Sequence, residues 1–94
     1  MFVLLLTYVK PLAEVDLLMR EHVAWLNEQF AAGRFLVSGR RIPRTGGVIV
    51  AHGDDREAME ALAATDPFVR GGVATVEVIQ FRASQRAAAP DPPL

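Results

Sequence analysis

The chain has 94 residues, 51% of them hydrophobic, and its 10 basic and 11 acidic residues leave a net charge of −1 at pH 7. This near-neutral balance gives no overall field that would hold a polyanion, so we expect no nucleic-acid partner. The absence of cysteine excludes disulfides, thiolate metal ligands and a cysteine nucleophile, and it is typical of the cytoplasm, where we expect this protein.

The first predicted element is a strand over residues 2–9, rich in Phe, Val, Leu and Tyr and followed by Pro11. Proline has no backbone N–H to donate and therefore ends a strand ladder. The segment is apolar but far shorter than the roughly 20 residues that a membrane-spanning helix needs. We therefore expect no membrane partner.

A helix is predicted from about Val15 to Ala32, closed by Gly33, because glycine commonly ends helices in a left-handed turn. Its apolar positions recur every three or four residues and share one helix face. That face carries Val15, Leu18, Met19, His22, Trp25, Leu26 and Phe30. His22 therefore points inward, where an unsatisfied imidazole costs about 1 to 3 kcal/mol, so another residue should bond it.

Two strands, a helix and a last strand are predicted next, over residues 34–39, 46–52, 56–66 and 73–81. Asp54 or Asp55 is placed to cap the second helix, and the sequence DPF at 66–68 is expected to break it. The Ala- and Pro-rich segment 83–94 has little to bury and is predicted to be a disordered tail.

The element order βαββαβ predicts a single α+β domain over residues 1–82 with a ferredoxin-like protomer, an antiparallel sheet with both helices on one face. The first and last strands carry apolar residues on both sides. Because the helices cover only one side, a second protomer is the economical cover for the other. We predict a homodimer joined through the open sheet faces.

Asp66 is the candidate partner of His22. Pro67 restricts Asp66 to an extended backbone, and adjacent helices bring the end of the second near the first. An aspartate bonded to one imidazole nitrogen fixes the tautomer and orients a general base. The structural alternative is a core histidine satisfied by a carbonyl and an aspartate that forms a cap or turn. The spacing leaves both interpretations open.

A basic cluster surrounds the third predicted element and consists of Arg34, Arg40, Arg41 and Arg44. With Ser38 as a donor, these residues could hold a carboxylate or phenolate. Arg34 and Arg41 are interpreted as solvated, whereas Arg44 precedes glycines through which the backbone can approach a ligand. Tyr8 is a further candidate at the pocket mouth.

No metal or cofactor is expected. His52, the other histidine, shares no helical metal-ligand spacing with His22, and the glycine pairs at 46–47 and 71–72 lack the Rossmann and P-loop patterns.

Four segments, REHVAWL, GRFLVSG, PRTGGVIVA and DPFVRGGVATVEVIQF, together resemble the YciI-like (YCII-related) family of the dimeric α+β barrel type over about residues 2–82. The resemblance implies a ferredoxin-like protomer, a dimer and an active-site pair at His22 and Asp66. It also implies that Ser38 and Arg44 line the same pocket. The chain departs from the family at Arg40, where relatives usually have a proline.

These observations predict a small-molecule enzyme of isomerase or dehydrochlorinase/lyase type that acts on a small anionic or aromatic substrate. His22 and Asp66 are the catalytic candidates, and the substrate-binding candidates are Ser38, Arg44, Arg40 and Tyr8. The alternative is a noncatalytic ligand-binding or interaction module in which the His–Asp pair is structural.

Overall fold

A computed structural model describes residues 1–87 and contains one sheet of four antiparallel strands. The strands are β1 (Phe2–Tyr8), β2 (Phe35–Arg40), β3 (Gly46–Ala51) and β4 (Ala74–Gln80). Their order across the sheet is β2-β3-β1-β4, so the first and third strands lie at the centre. This topology confirms the predicted ferredoxin-like α+β fold.

The helical segments are α1 (Leu12–Leu17), α2 (Met19–Ala31), α3 (Arg56–Ala63) and α4 (Pro67–Arg70). The single helix predicted over 15–32 is wrong in two respects. It begins earlier, because Pro11 at the N-cap position needs no N–H for the helical ladder. It is also divided at Leu18, whose φ of −104° and ψ of 2° interrupt the helix.

The segment after α3 also differs from the prediction. Asp55 caps α3 by accepting a hydrogen bond from the Ala58 N–H, but the helix ends at Ala63 instead of continuing to residue 66. Asp66 then caps α4, whose first residue is Pro67, a residue suited to the first helical position. The predicted break is therefore the start of a further helical turn.

The hydrophobic core lies between the helices and one face of the sheet. It includes Phe2, Leu4, Leu6, Val15, Trp25, Phe35, Ile49, Met59 and Phe68. The opposite face of the sheet, here called the open face, carries Val3, Leu5, Val37, Val48, Val50 and Ile79 in adjacent register positions. In the single chain Val37 and Ile79 are 37% and 39% exposed, so this face presents apolar surface to solvent.

Residues 83–87 are exposed and have no regular secondary structure. The rest of the predicted tail, residues 88–94, lies outside the described residues. Within residues 1–87, no helix is both long enough and apolar enough to cross a membrane.

Candidate active site

The structure brings the two candidate catalytic residues together. Helix α2 carries His22, and Asp66 stands at the beginning of α4, so that Nδ1 of His22 lies 2.7 Å from Oδ1 of Asp66. The two residues are 8% and 1% exposed. The polar partner that the inward histidine requires is therefore a nearly fully buried carboxyl group.

Asp66 has a second role through the same oxygen. Its Oδ1 accepts a hydrogen bond from the Phe68 N–H at 2.9 Å, which caps α4. The other oxygen, Oδ2, is buried and has no hydrogen-bond partner in the described part of the chain. The capping interpretation and the histidine-partner interpretation are thus not exclusive, because one atom serves both contacts.

Aromatic side chains fix the plane of the imidazole. The ring of Phe68 stacks on that of His22, with centroids 3.9 Å apart and planes at 8°. Trp25 lies on the same helix with its ring centroid 6.0 Å away, and its Nε1–H donates to the Thr65 hydroxyl at 2.9 Å. Sequence reasoning missed the role of Phe68, whose signal was its position two residues after Asp66.

A cavity of about 380 Å³ lies beside His22. Its wall contains Leu6, Tyr8, Met19, His22, Val23, Leu26, Ser38, Gly39, Arg40, Arg44, Gly46, Gly47, Val48, Ile49 and Phe68. The four substrate-binding candidates and His22 therefore line the same cavity. Asp66 does not line the cavity and contacts the imidazole through Nδ1. The other ring nitrogen, Nε2, makes no hydrogen bond to residues 1–87 and is not fully buried.

The charged lining groups of the cavity are the guanidinium groups of Arg40 and Arg44, and no carboxylate of the described residues lines it. Arg44 Nη2 lies 2.5 Å from Oδ1 of Asp16 on α1, and its Cζ lies 5.9 Å from the ring centroid of Tyr8. The hydrogen bond with Asp16 raises the pKa of Arg44, against the opposing effect of burial and with a smaller contribution from Tyr8. Arg44 is therefore positively charged at every ordinary pH.

Two details of the basic cluster refine the sequence interpretation. Arg34 and Arg41 do not line the cavity, and Arg34 Nη1 donates to Gln29 Oε1 at 3.0 Å. A Cβ atom at Gly46 would lie only 1.8 Å from the carbonyl oxygen of Leu6. Gly46 is thus required for the close approach of β1 to β3, and it also lines the cavity together with Gly47.

His52 lies at the other end of the sheet, beside a second cavity of about 520 Å³. This cavity is lined by Arg34, His52, Gly53, Asp54, Asp55, Ala58, Met59, Ala61, Leu62 and Thr65. His52 is exposed, and its side chain makes no hydrogen bond to the described residues. Over residues 1–87, no group of three or more His, Asp or Glu side chains is placed to hold a metal ion.

Comparison with known proteins identifies the fold and the family. The family model for the YCII-related domain matches residues 1–82, whereas no curated protein matches the chain in sequence. Among solved structures, the chain is similar to the 5-chloro-2-hydroxyhydroquinone dehydrochlorinase of Burkholderia phenoliruptrix in complex with 2,5-dihydroxybenzoquinone. The TM-score is 0.68 with 18% identity, over 87% of this chain and 94% of that one.

The chain is also similar in structure to SnoaB, a cofactor-independent oxygenase from Streptomyces nogalater. Here the TM-score is 0.50 and the identity 23%, over 90% of this chain and 92% of that one. At such identities the likeness to both solved structures concerns the fold.

Proposed function

The chain belongs to the YCII-related domain family, and we propose that it is an enzyme that performs general acid/base chemistry on a small anionic or aromatic molecule. The observation that carries this proposal is the His22–Asp66 hydrogen bond of 2.7 Å at the wall of a cavity large enough for a single-ring compound. A concave, mostly apolar site with a few convergent polar groups is the usual form of a small-molecule site.

His22 is the proposed proton-transfer group. In the proposed arrangement His22 Nδ1–H donates a hydrogen bond to Asp66 Oδ1, so Nε2 carries the lone pair that accepts a proton from a substrate. Asp66 and the Phe68 stack fix both the tautomer and the ring plane, which is how general bases are oriented in other folds. A positioned base of this kind accelerates proton transfer by about 10²- to 10⁴-fold.

The reaction class follows from the groups that line the cavity. His22 removes a proton, and the electrons of the broken bond move into an adjacent π system. Return of the proton to another atom completes an isomerisation, whereas departure of a leaving group completes an elimination. In either case negative charge develops on a substrate oxygen, and we assign its stabilisation to Arg44, Arg40 and the Ser38 hydroxyl.

The structural neighbours support this class of chemistry. One is a dehydrochlorinase, an elimination enzyme, bound to a dihydroxybenzoquinone, and the other is an oxygenase that needs no cofactor. A small oxygenated ring fits the proposed site, because the apolar lining formed by Leu6, Leu26 and Ile49 can contact the ring while Tyr8 and the arginines meet its oxygens. We accordingly propose a reaction that needs no cofactor.

We also propose that the protein acts as a homodimer, in the cytoplasm, with the open faces of two sheets packed together. The register pairs Val3 with both Val50 and Ile79, so apolar side chains form a continuous row across the open face. Leu5→Lys in the middle of this face should give a monomer in analytical ultracentrifugation. Ala24→Lys, on the exposed side of α2, is the control and should leave the dimer intact.

A second candidate function is a noncatalytic ligand-binding or interaction module. The observation that favours it is the hydrogen bond from the Phe68 N–H to Asp66, since this capping contact gives Asp66 a structural role. Substitution of Asp66 therefore cannot separate the two functions by stability alone. His22 is the discriminating residue, because a functional histidine is replaced at little cost in stability, whereas a structural one is not.

The test is an NMR titration of the His22 Nδ1 and Nε2 resonances in the wild type and in Asp66→Asn, with and without 2,5-dihydroxybenzoquinone, benzoate and phenol. We expect one locked tautomer that is lost in the variant, and a response of Nε2 to at least one ligand. Catalysis is then tested as chloride release from 5-chloro-2-hydroxyhydroquinone by the wild type and by His22→Gln. A histidine that responds neither to Asp66 nor to any ligand would contradict the proposal.

A further inference from the structure

We propose that Asp16 is an internal counterion that competes with an anionic ligand for Arg44 and thereby limits the affinity of the cavity for ligands with an acidic oxygen. This inference rests on the proposed anionic substrate and adds a specificity-determining residue to it. Asp16 lies on α1 and does not itself line the cavity.

The contact between the two side chains leaves most of the guanidinium available. Nη2 of Arg44 bonds to Oδ1 of Asp16, and the guanidinium also contacts Tyr8. Arginine carries five N–H donors in a planar fork, and its strongest pairs with carboxylates are bidentate. A ligand that presents two oxygens from the cavity side can therefore bind Arg44 better than Asp16 does.

The Asp16 contact is also one that a ligand can replace. The side chains of Arg44 and Asp16 are 25% and 55% exposed, and water screens ion pairs of this kind so that they contribute little to stability. If Asp16 is displaced, its carboxylate is immediately hydrated. Arg44 remains near the mouth of the cavity, because its guanidinium lies over the ring of Tyr8 and is attracted to the ring face.

Selectivity follows from the charge balance at Arg44. A neutral ligand cannot replace the negative charge of Asp16, so it leaves the ion pair intact and gains no charge-assisted bond. An anionic ligand replaces both the charge and the hydrogen bond, and Arg40, which forms no ion pair with the described residues, adds a second positive charge. Asp16 thus lowers the affinity for anions and leaves the affinity for neutral analogues unchanged.

The test compares Asp16→Asn with Glu14→Gln. Glu14 is an exposed carboxylate on the same helix, and its side chain has no hydrogen bond or ion pair among the described residues, so its substitution removes the same charge without touching Arg44. The probes are benzoate and its neutral analogue benzamide. Binding is followed through the amide resonances of Gly46 and Gly47 in the cavity wall and through the Arg44 Nε resonance.

We expect Asp16→Asn to bind benzoate about two- to fivefold more tightly than Glu14→Gln, with the affinity for benzamide equal in the two variants. The benzoate-to-benzamide ratio is the decisive quantity, since a merely structural role of Asp16 would change both affinities together. Arg44→Lys in the Asp16→Asn background should abolish the gain.

Equal benzoate affinities in the two single variants would overturn the proposal while leaving the proposed enzyme function standing. Weaker binding in Asp16→Asn would also overturn it, because Asp16 would then be a support that holds Arg44 in place. If benzoate shifts no cavity resonance in any variant, both this inference and the anion site of the proposed function are wrong. A response of His22 to other ligands would still be measured separately.

Discussion

The two histidines occupy cavities at opposite ends of the sheet, and the comparison shows what separates a candidate site from a depression in the surface. His22 is 8% exposed, bonded to Asp66 and stacked on Phe68. His52 is exposed and has none of these contacts within residues 1–87, although its cavity is the larger one, at about 520 Å³. Neither residue type nor cavity size therefore identifies the site.

The difference lies in the contacts that hold each ring. Proton transfer needs a group fixed in one tautomer and one orientation, and only the ring of His22 meets a carboxyl group and an aromatic face. An arginine lines each cavity, Arg44 at one end and Arg34 at the other. A capping aspartate also lies near each histidine: Asp66 bonds to His22, and Asp55 lines the cavity beside His52. These matched residues supply controls for each prediction.

The largest expected effect separates the two histidines directly. His22→Gln should lower turnover by about 10²- to 10⁴-fold, because the proposed general base is lost. His52→Gln should retain wild-type turnover. Initial rates in the turnover assay of the proposed function measure both variants, and equal rates in the two would remove the distinction between the cavities.

The next effect concerns stability and compares the two capping aspartates. Asp66→Ala should lower the free energy of unfolding by about 3 kcal/mol, since it leaves the His22 Nδ1–H and the Phe68 N–H without a partner in a buried site. Asp55→Ala removes one exposed cap and should cost about 1 kcal/mol. Urea unfolding of both variants provides the comparison, and equal losses would show that the buried pair adds nothing beyond capping.

A smaller effect distinguishes the two arginines. Arg44→Lys should weaken benzoate binding roughly tenfold, because lysine cannot reproduce the planar fork of donors. Arg34→Lys should leave it unchanged, since Arg34 donates to Gln29 outside the cavity. NMR titrations of both variants with benzoate test this. A loss of benzoate affinity in Arg34→Lys would show that the anion binds at the other end of the sheet, beside His52.

The smallest effect is a pH dependence. The hydrogen bond to Asp16 raises the pKa of Arg44 above the ordinary value of an arginine, which is already far above neutral pH. A group whose pKa is higher in the folded than in the unfolded protein stabilises the fold fully below its unfolded-state pKa. This stabilisation is lost only as the pH rises through the folded-state pKa. Arg44 should therefore cause no loss of benzoate affinity from pH 8 to 10.5. In Arg44→Lys the introduced amine, with an ordinary pKa near 10.4, should lose about half its charge over that range.

The sequence predicted the fold and named Asp66 as the candidate partner of His22, although the spacing alone also left a structural interpretation open. Runs of apolar and β-branched residues and the βαββαβ order predict the sheet, the helical periodicity places His22 inward, and Pro67 constrains the residue before it. The pair then follows from the topology, which brings the ends of two helices together. Local patterns and tertiary structure agree at these positions.

The remaining features depend on how distant segments approach each other. The Asp16–Arg44 contact joins residues 28 positions apart, and no periodicity or spacing indicates that an exposed aspartate of α1 meets the loop between β2 and β3. The requirement for Gly46 arises from the backbone of β1, a neighbour that the glycine pair itself does not reveal. The interruption at Leu18 is likewise absent from the helical pattern.

The stack of Phe68 on His22 also allows the site to be followed by proton NMR. With the ring centroids 3.9 Å apart and the planes at 8°, the imidazole carbon-bound protons lie in the shielding region of the benzyl ring current. Their resonances should therefore appear well upfield of those of the exposed His52. The two histidines can then be told apart in a one-dimensional proton spectrum of the wild type. Binding of a ligand that separates the stacked rings should shift the His22 resonances downfield.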